Sequence, residues 1–370
     1  MARNRIIYQS EGVYISKDAS STASGDHSQL ARVQSANYNF NIARQDVNQY
    51  GELARIDSIV LESPTVSFDM SYYITDGRNE SALGFYVPTG TQAASQFPSG
   101  HIVDGSGRNL YIVTSNEGTD LNKFTGSANL SGKGGIGIGN AYLTDYSIEL
   151  AVGSIPTATV SFEGANMNAF TFFGINSGSG AAINQELGTS LANTIRLKDP
   201  ASFTGASVVT ALRPGDITFD FGVYSGSGLI SKIGGSDGIH IQSASLSLPL
   251  GRTPIERLGS KFAFARTVDF PVTATLTLNG VQNEVAGGNL VDLVEANPKQ
   301  DIVVSIKKPG SSTLAVQYIF KRAQLDSASV SSSIGSNKTA DFTFSTQIGG
   351  ANDTTNGIQM SGSFTTPAFD

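Results

Sequence analysis

Apolar and polar residues alternate with a period of two in four separate stretches of this chain. Val66, Phe68, Met70 and Tyr72 alternate with Ser67, Asp69, Ser71 and Tyr73, and Ala274, Leu276 and Leu278 with Thr273, Thr275 and Thr277. Ala158, Val160 and Phe162 interleave Thr157, Thr159, Ser161 and Glu163. Ala340, Phe342 and Phe344 do the same with Thr339, Asp341, Thr343 and Ser345. Successive strand side chains point to opposite faces, so each stretch predicts a strand with one buried face and one polar face. None of these polar positions carries Lys or Arg. Helical signals are short: 289–298, with Asn289 as N-cap and Pro298 as stop, and 79–85 in the corresponding place earlier in the chain. The expectation is a mostly β fold with about one short helix in each half.

The four stretches fall into two pairs because the chain repeats itself. Residues 33–71 match 241–279 at a constant offset of 208, sharing Gln34/Gln242, Ser35/Ser243, Ala36/Ala244, Arg44/Arg252, Gly51/Gly259, Val60/Val268 and Thr65/Thr273. Residues 143–162 match 325–344 at an offset of 182, sharing Leu143/Leu325, Ser147/Ser329, Gly153/Gly335, Thr157/Thr339 and Phe162/Phe344. Both matches keep the same order, which predicts two tandem antiparallel β-sandwich or barrel domains. The first is expected over 1–170, with an N-terminal arm (1–26) and a long 86–140 loop region. A linker or excursion follows over 171–212, and the second domain over 213–370. Gly12-Val13-Tyr14 and Gly222-Val223-Tyr224 would open the two copies.

A chain of 370 residues is long enough for two such cores. Charged residues make up only 15%, against roughly 25% in typical soluble domains, which suggests surfaces covered by neighbours. The net charge of −7 opposes wrapping around a nucleic acid but allows a passage through which one slides. With no Cys, disulfides, thiolate catalysis and thiolate metal sites are excluded. Neither a secretory h-region nor a membrane-spanning apolar run is visible, so a chain made in a cytoplasm is expected.

Candidate chemistry is thin. The glycine run 132–139 lacks the phosphate-loop Lys-Ser/Thr and precedes a strand pattern, so it reads as a loop or a glycine-rich strand. His27, His101 and His240 lie apart and read as surface or turn residues, with no metal spacing. No nucleophile–base set, calcium loop or carboxylate pair stands out, so no enzyme, cofactor or metal is expected. Arg44 and Arg252 hold equivalent places, each seven residues before a glycine, Gly51 and Gly259. They read either as solvated loop arginines or as forks that fix a loop, within the chain or across a subunit boundary.

The paired strands, the LTDYSIELAVG arm before PTATVSF, the opening RNRIIYQSEGVYIS and the closing KRAQLDSASVSSSIGSNKTADFTFSTQIGG resemble tail tube (major tail) proteins of long-tailed bacteriophages. That resemblance implies β-sandwich or barrel units with a flanking helix, arranged as rings that stack into a hollow tube conducting DNA. Two tube domains per chain imply three chains in a pseudo-hexameric ring. The polar strand positions Ser67, Asp69, Ser71, Thr159, Ser161, Glu163, Thr275, Thr277, Asp341, Thr343 and Ser345 are then expected to face the lumen. Expected partners are further copies of the chain, other tail proteins (terminator, hub or baseplate, tape measure or sheath) and phage DNA in transit, within a virion tail. The arm, the 76–86 loop and the 86–140 region are the expected ring-to-ring contacts. The alternatives are a hub, terminator or baseplate ring of the same fold, or a β-sandwich receptor- or carbohydrate-binding module.

Overall fold

The computed structural model describes residues 10–21, 23–61, 63–89, 95–103, 107–115, 121, 130, 132–173, 177–179, 194–197, 211–221, 239–259, 262–263, 265–282, 299–335, 337–365 and 369. The fold is mostly β. In chain order the first part contains β1 (Glu11–Ser16), β2 (His27–Gln29), β3 (Val33–Asn41), β4 (Arg44–Val47), β5 (Asp57–Val60) and β6 (Thr65–Tyr73). Two short helices, α1 (Arg78–Leu83) and α2 (Ser99–Val103), precede β7 (Arg108–Thr114), β8 (Gly134–Ala151), β9 (Thr157–Gly164), β10 (Asn166–Phe173), β11 (Ser177–Ser179) and β12 (Thr194–Arg196). The second part contains β13 (Ile217–Asp220), β14 (Ile239–Pro249), β15 (Arg252–Ile255), β16 (Ala265–Val268) and β17 (Thr273–Gln282). It ends with β18 (Gln300–Lys307), β19 (Leu314–Ser331), β20 (Thr339–Gln347) and β21 (Gly357–Gly362).

One antiparallel wall runs through both parts in the order β3-β6-β9-β8-β14-β17-β20-β19. Its halves are built alike. Ala36 lies opposite Met70, Met70 opposite Val160 and Val160 opposite Tyr146. Ala244, Leu278, Phe342 and Ala328 pair in the same sequence at the offsets of 208 and 182. The alternation explains the pairing: Val66, Phe68, Met70 and Tyr72 are buried, as are Ala274, Leu276 and Leu278, and a slip by one residue would expose them all. The halves join where β8 lies beside β14, with Ile148 opposite Leu246.

The long strands β8 and β19 each serve two sheets. Each bends at a non-glycine residue in the left-handed region, Asn140 (φ 49°) and Arg322 (φ 51°), again 182 apart. Ahead of the bend β8 pairs with β7 and β10, and β19 pairs with β18 and β21. Beyond it both enter the wall. Strand β21 also returns to the first part, where Phe97 N–H donates to Ile358 O at 2.8 Å and Ser363 N–H to Asp76 O at 2.9 Å.

Of two hydrophobic clusters among the described residues, the smaller gathers Tyr14, Tyr111, Val113 and Phe172, and the larger spans both halves. At its centre Phe85 stacks on Phe97 at 4.0 Å, and both rings meet Tyr146 edge-on. Glu80 of α1 is fully buried beside them. Tyr72 donates to its Oε1 at 3.0 Å and Tyr146 at 3.4 Å, while Tyr146 and Tyr318 share a hydrogen bond of 3.0 Å. Burial pushes the Glu80 carboxyl up to about 7.

Several expectations change here. The 86–140 region is not one long loop: it holds α2, the buried strand β7 and the start of β8. Its glycine run is strand because a Cβ on Gly135 would meet the Phe170 and Phe172 rings at 2.9–3.0 Å, so only glycine lets those rings lie flat there. The 76–86 segment is not a loop: it holds α1, which buries Asn79, Glu80, Ala82 and Leu83 and leaves Arg78 and Ser81 half-buried. Within the N-terminal arm, 11–16 is the buried strand β1. His27 and His101 are buried rather than superficial, and burial lowers the affinity of both for protons. The expected helix at 289–298, the Gly222–Tyr224 match and much of 171–212 lie outside the described residues.

Candidate functional site

The polar face of the wall runs across all eight of its strands with a single chemical character. Ser67, Asp69, Ser71, Thr159, Ser161, Glu163, Thr275, Thr277, Asp341, Thr343 and Ser345 all lie on the side opposite the core, and none is buried. They sit in rows across the strands: Ser71 opposite Thr159, Thr159 opposite Ser147, Ser147 opposite Ser247, and Ser247 opposite Thr275. The rows show that the face also includes Ser35, Asn37 and Asn39 of β3, Asp145, Ser147 and Glu149 of β8, and Ser243, Ser245 and Ser247 of β14. Sequence reading missed these, although the SASLSLP run of β14 carries the same alternation.

Short polar side chains hold one another on this face. Ser161 donates to Asp69 at 2.6 Å, Ser67 to Asn39 at 2.7 Å and Asn279 to Asp341 at 2.5 Å. Ser35 and Ser71 share a hydrogen bond of 2.6 Å. Carboxylates at Asp69, Asp145, Glu149, Glu163 and Asp341 make the face acidic, and its described strand positions hold no Lys or Arg. Partial burial raises the pKa of Asp145.

Two hairpins project from one end of the wall, β4–β5 and β15–β16. Gly51 and Gly259 occupy their bends at φ of 89° and 85°, with open space around them, so backbone conformation rather than crowding demands glycine. The β15–β16 hairpin folds over the first half of the chain. Arg252 donates to the carbonyls of His101 (3.0 Å) and Arg266 (2.9 Å), tying the hairpin to α2. Arg266 is buried and reaches Glu163 at 2.6 Å. Both guanidiniums lie over the Tyr142 ring, 5.3 and 5.6 Å from its centre. Arg44, by contrast, is exposed and makes no side-chain hydrogen bond or ion pair among the described residues. Glu163 therefore lies under a hairpin as well as on the polar face.

The wall ends on two strand edges without a partner among the described residues. One is β3, the counterpart of β14; the other is β19 beyond its bend, the counterpart of β8. Inside the chain these counterparts pair with each other and bury Ile148 (3% exposed), Leu246 (5%) and Leu248 (0%). At the free edges the matching residues are Val330 (54%), Tyr38 (38%) and Phe40 (59%). Bare edges with apolar side chains invite pairing with another strand.

Among the described residues no group of His, Asp or Glu is arranged to hold a metal, and no helix is long and apolar enough to cross a membrane. No protein-family model matches the chain, and no curated protein does. Among the solved structures similar to it, two match over 40% of it at 13% identity and a TM-score of 0.25. One is the tube-terminating cap of the anti-feeding prophage, 88% of whose chain is covered. The other is the six-fold symmetrised baseplate of the same prophage, with 91% of the chain covered. Likeness at that level leaves the functional reading to the wall, its edges and its hairpins.

Proposed function

We propose that this chain is a structural virion protein whose copies close into rings, the rings stacking into a hollow phage tail tube that conducts DNA. The observation that carries the proposal is the pair of free edges. Each repeats an edge already paired inside the chain, so a second copy can continue the wall by the same β8–β14 contact. Transferring that register by the two offsets places Tyr38 opposite Val330, Phe40 opposite Ala328 and Asn39 opposite Ser329. Such a joint is head-to-tail, and repeating it makes a ring when the rotation between copies closes and an open filament when it does not.

In this reading three chains form the ring, each supplying two tandem tube domains, and strand spacing argues against two. With strands about 4.8 Å apart and tilted about 40°, roughly 24 strands close at a backbone radius of about 24 Å, and roughly 16 at only about 16 Å. The larger ring leaves room for a DNA duplex once side chains are placed, whereas the smaller one grips it. The polar face would line the channel, where hydroxyls and carboxylates offer phosphates no cation to bind.

A double substitution, Tyr38→Cys with Val330→Cys, tests this in a chain that has no cysteine of its own. Oxidation is expected to give a covalent ladder ending at the trimer. Exclusively monomeric product at assembling concentrations would refute the edge pairing.

A further inference from the structure

We infer that the cavity edged by Lys299, Arg322, Gln324 and Ser345 seats the β4–β5 hairpin of a second copy, with Asp46 meeting the two cations. The inference rests on the ring reading and adds to it how the joint between chains differs from the joint within one.

Inside the chain the seat is already filled. The β15–β16 hairpin lies over Tyr142 and Glu163, its inward face carrying Arg252 and Arg266. One offset of 182 further along, those two positions are Gln324 and Ser345. Both line an open cavity of about 380 Å³ whose other walls include Lys299 and Arg322, each exposed. The hairpin that matches β15–β16 is β4–β5, and it is exposed along nearly its whole length. In its register Asp46 lies opposite Ser58, as Pro254 lies opposite Arg266, so Asp46 is on the face that the equivalent hairpin turns inward. Among the described residues Asp46 is meanwhile held by Arg55 at 2.9 Å, a pair with both members well exposed and easily exchanged.

The charges are reversed between the two seats. Residues 252–268 carry four cations and one carboxylate and meet Glu163; residues 44–60 carry two cations and three carboxylates and would meet Lys299 and Arg322. Exchanging the hairpins would set Arg266 against Arg322 and Asp46 against Glu163. Repulsion of that kind lets each seat reject the wrong hairpin. A duplicated chain needs such a distinction, because its internal joint and its external joint otherwise offer the same surfaces.

The test compares full-length wild type, Asp46→Lys, Arg322→Glu and the double exchange, each with and without the Tyr38→Cys/Val330→Cys pair. Each single reversal is expected to raise the concentration needed for assembly about five- to tenfold, and the exchange to return it to within about threefold of wild type. The unfolding midpoint of each unassembled variant is measured alongside, and the Arg322 reversal is read for assembly at a temperature where it is as fully folded as wild type, because Arg322 lies at the bend of β19 and its backbone N–H donates to Asp301. Silent single reversals, or an exchange no better than either single, overturn the seat. If the cysteine ladder still forms in that case, ring formation stands without the seat; if the ladder is absent even without reversals, the ring reading fails and the seat with it.

Discussion

Glu80→Gln should remove a pH dependence that the fold imposes on the junction between the two halves. Glu80 is fully buried, and its carboxyl is raised from 4.5 to about 7 mainly by loss of solvation. Between those values the folded chain holds a proton that the unfolded chain has released. Stability therefore falls as pH rises through the window and is level on either side of it. At about 1.4 kcal/mol per tenfold change in proton affinity, the loss between pH 4.5 and pH 7 comes to about 3 kcal/mol. Glutamine keeps the acceptor for Tyr72 and cannot ionise, so it mimics the protonated acid. Urea unfolding of the unassembled wild type and variant at pH 4.5, 6, 7 and 8 checks the claim, because titrations elsewhere cancel in the difference. The wild type should lose about 3 kcal/mol relative to the variant across the series. Parallel stability curves would show that the carboxyl is not held in its neutral form, and the reasoning about this core would be wrong.

Three other changes probe different parts of the account. Phe40→Asp should leave the isolated chain's stability within about 0.5 kcal/mol, as the side chain is already 59% exposed. Its exposed area, about 120 Å², corresponds to about 3 kcal/mol at each joint, so assembly followed by light scattering should weaken about a hundredfold. Arg266→Ala strips Glu163 of its 2.6 Å partner and uncovers Tyr142. It should cost about 1–2 kcal/mol in urea unfolding, and an unshifted midpoint would mean that the hairpin clamp contributes nothing. Thr159→Lys with Thr277→Lys should give assembled tubes a salt-sensitive retention of DNA that wild-type tubes lack, read by co-sedimentation at rising salt; no gain would argue against a lumenal face.

Much of the wall could be read directly from the chain. Strands β6, β9, β17 and β20 show strict alternation because one face packs on the core and the other meets only polar neighbours. Less could be read where one strand serves two environments. Strand β8 opens as GGIGIG, which reads equally as a loop or a glycine-rich strand; pairing with β7 and β10, whose Phe170 and Phe172 cover it, decides for the strand. Arg266 carries no local signal either, since its equivalent position is Ser58 and its partner Glu163 lies 103 residues away. Glu80 sits in a short helix whose sequence reads as surface; three tyrosines from three strands make the site tolerable. The free edges could not be recognised before the paired ones were seen, because an edge is defined by what lies beside it.

A density map of the assembled particle tests the central claim most directly. It should show three chains in a closed ring, with the Ser, Thr and Asp face turned to the channel and Tyr38 of one chain beside Val330 of the next. A ring in which that face points outward, or in which β3 and β19 of neighbouring chains do not touch, would contradict the account.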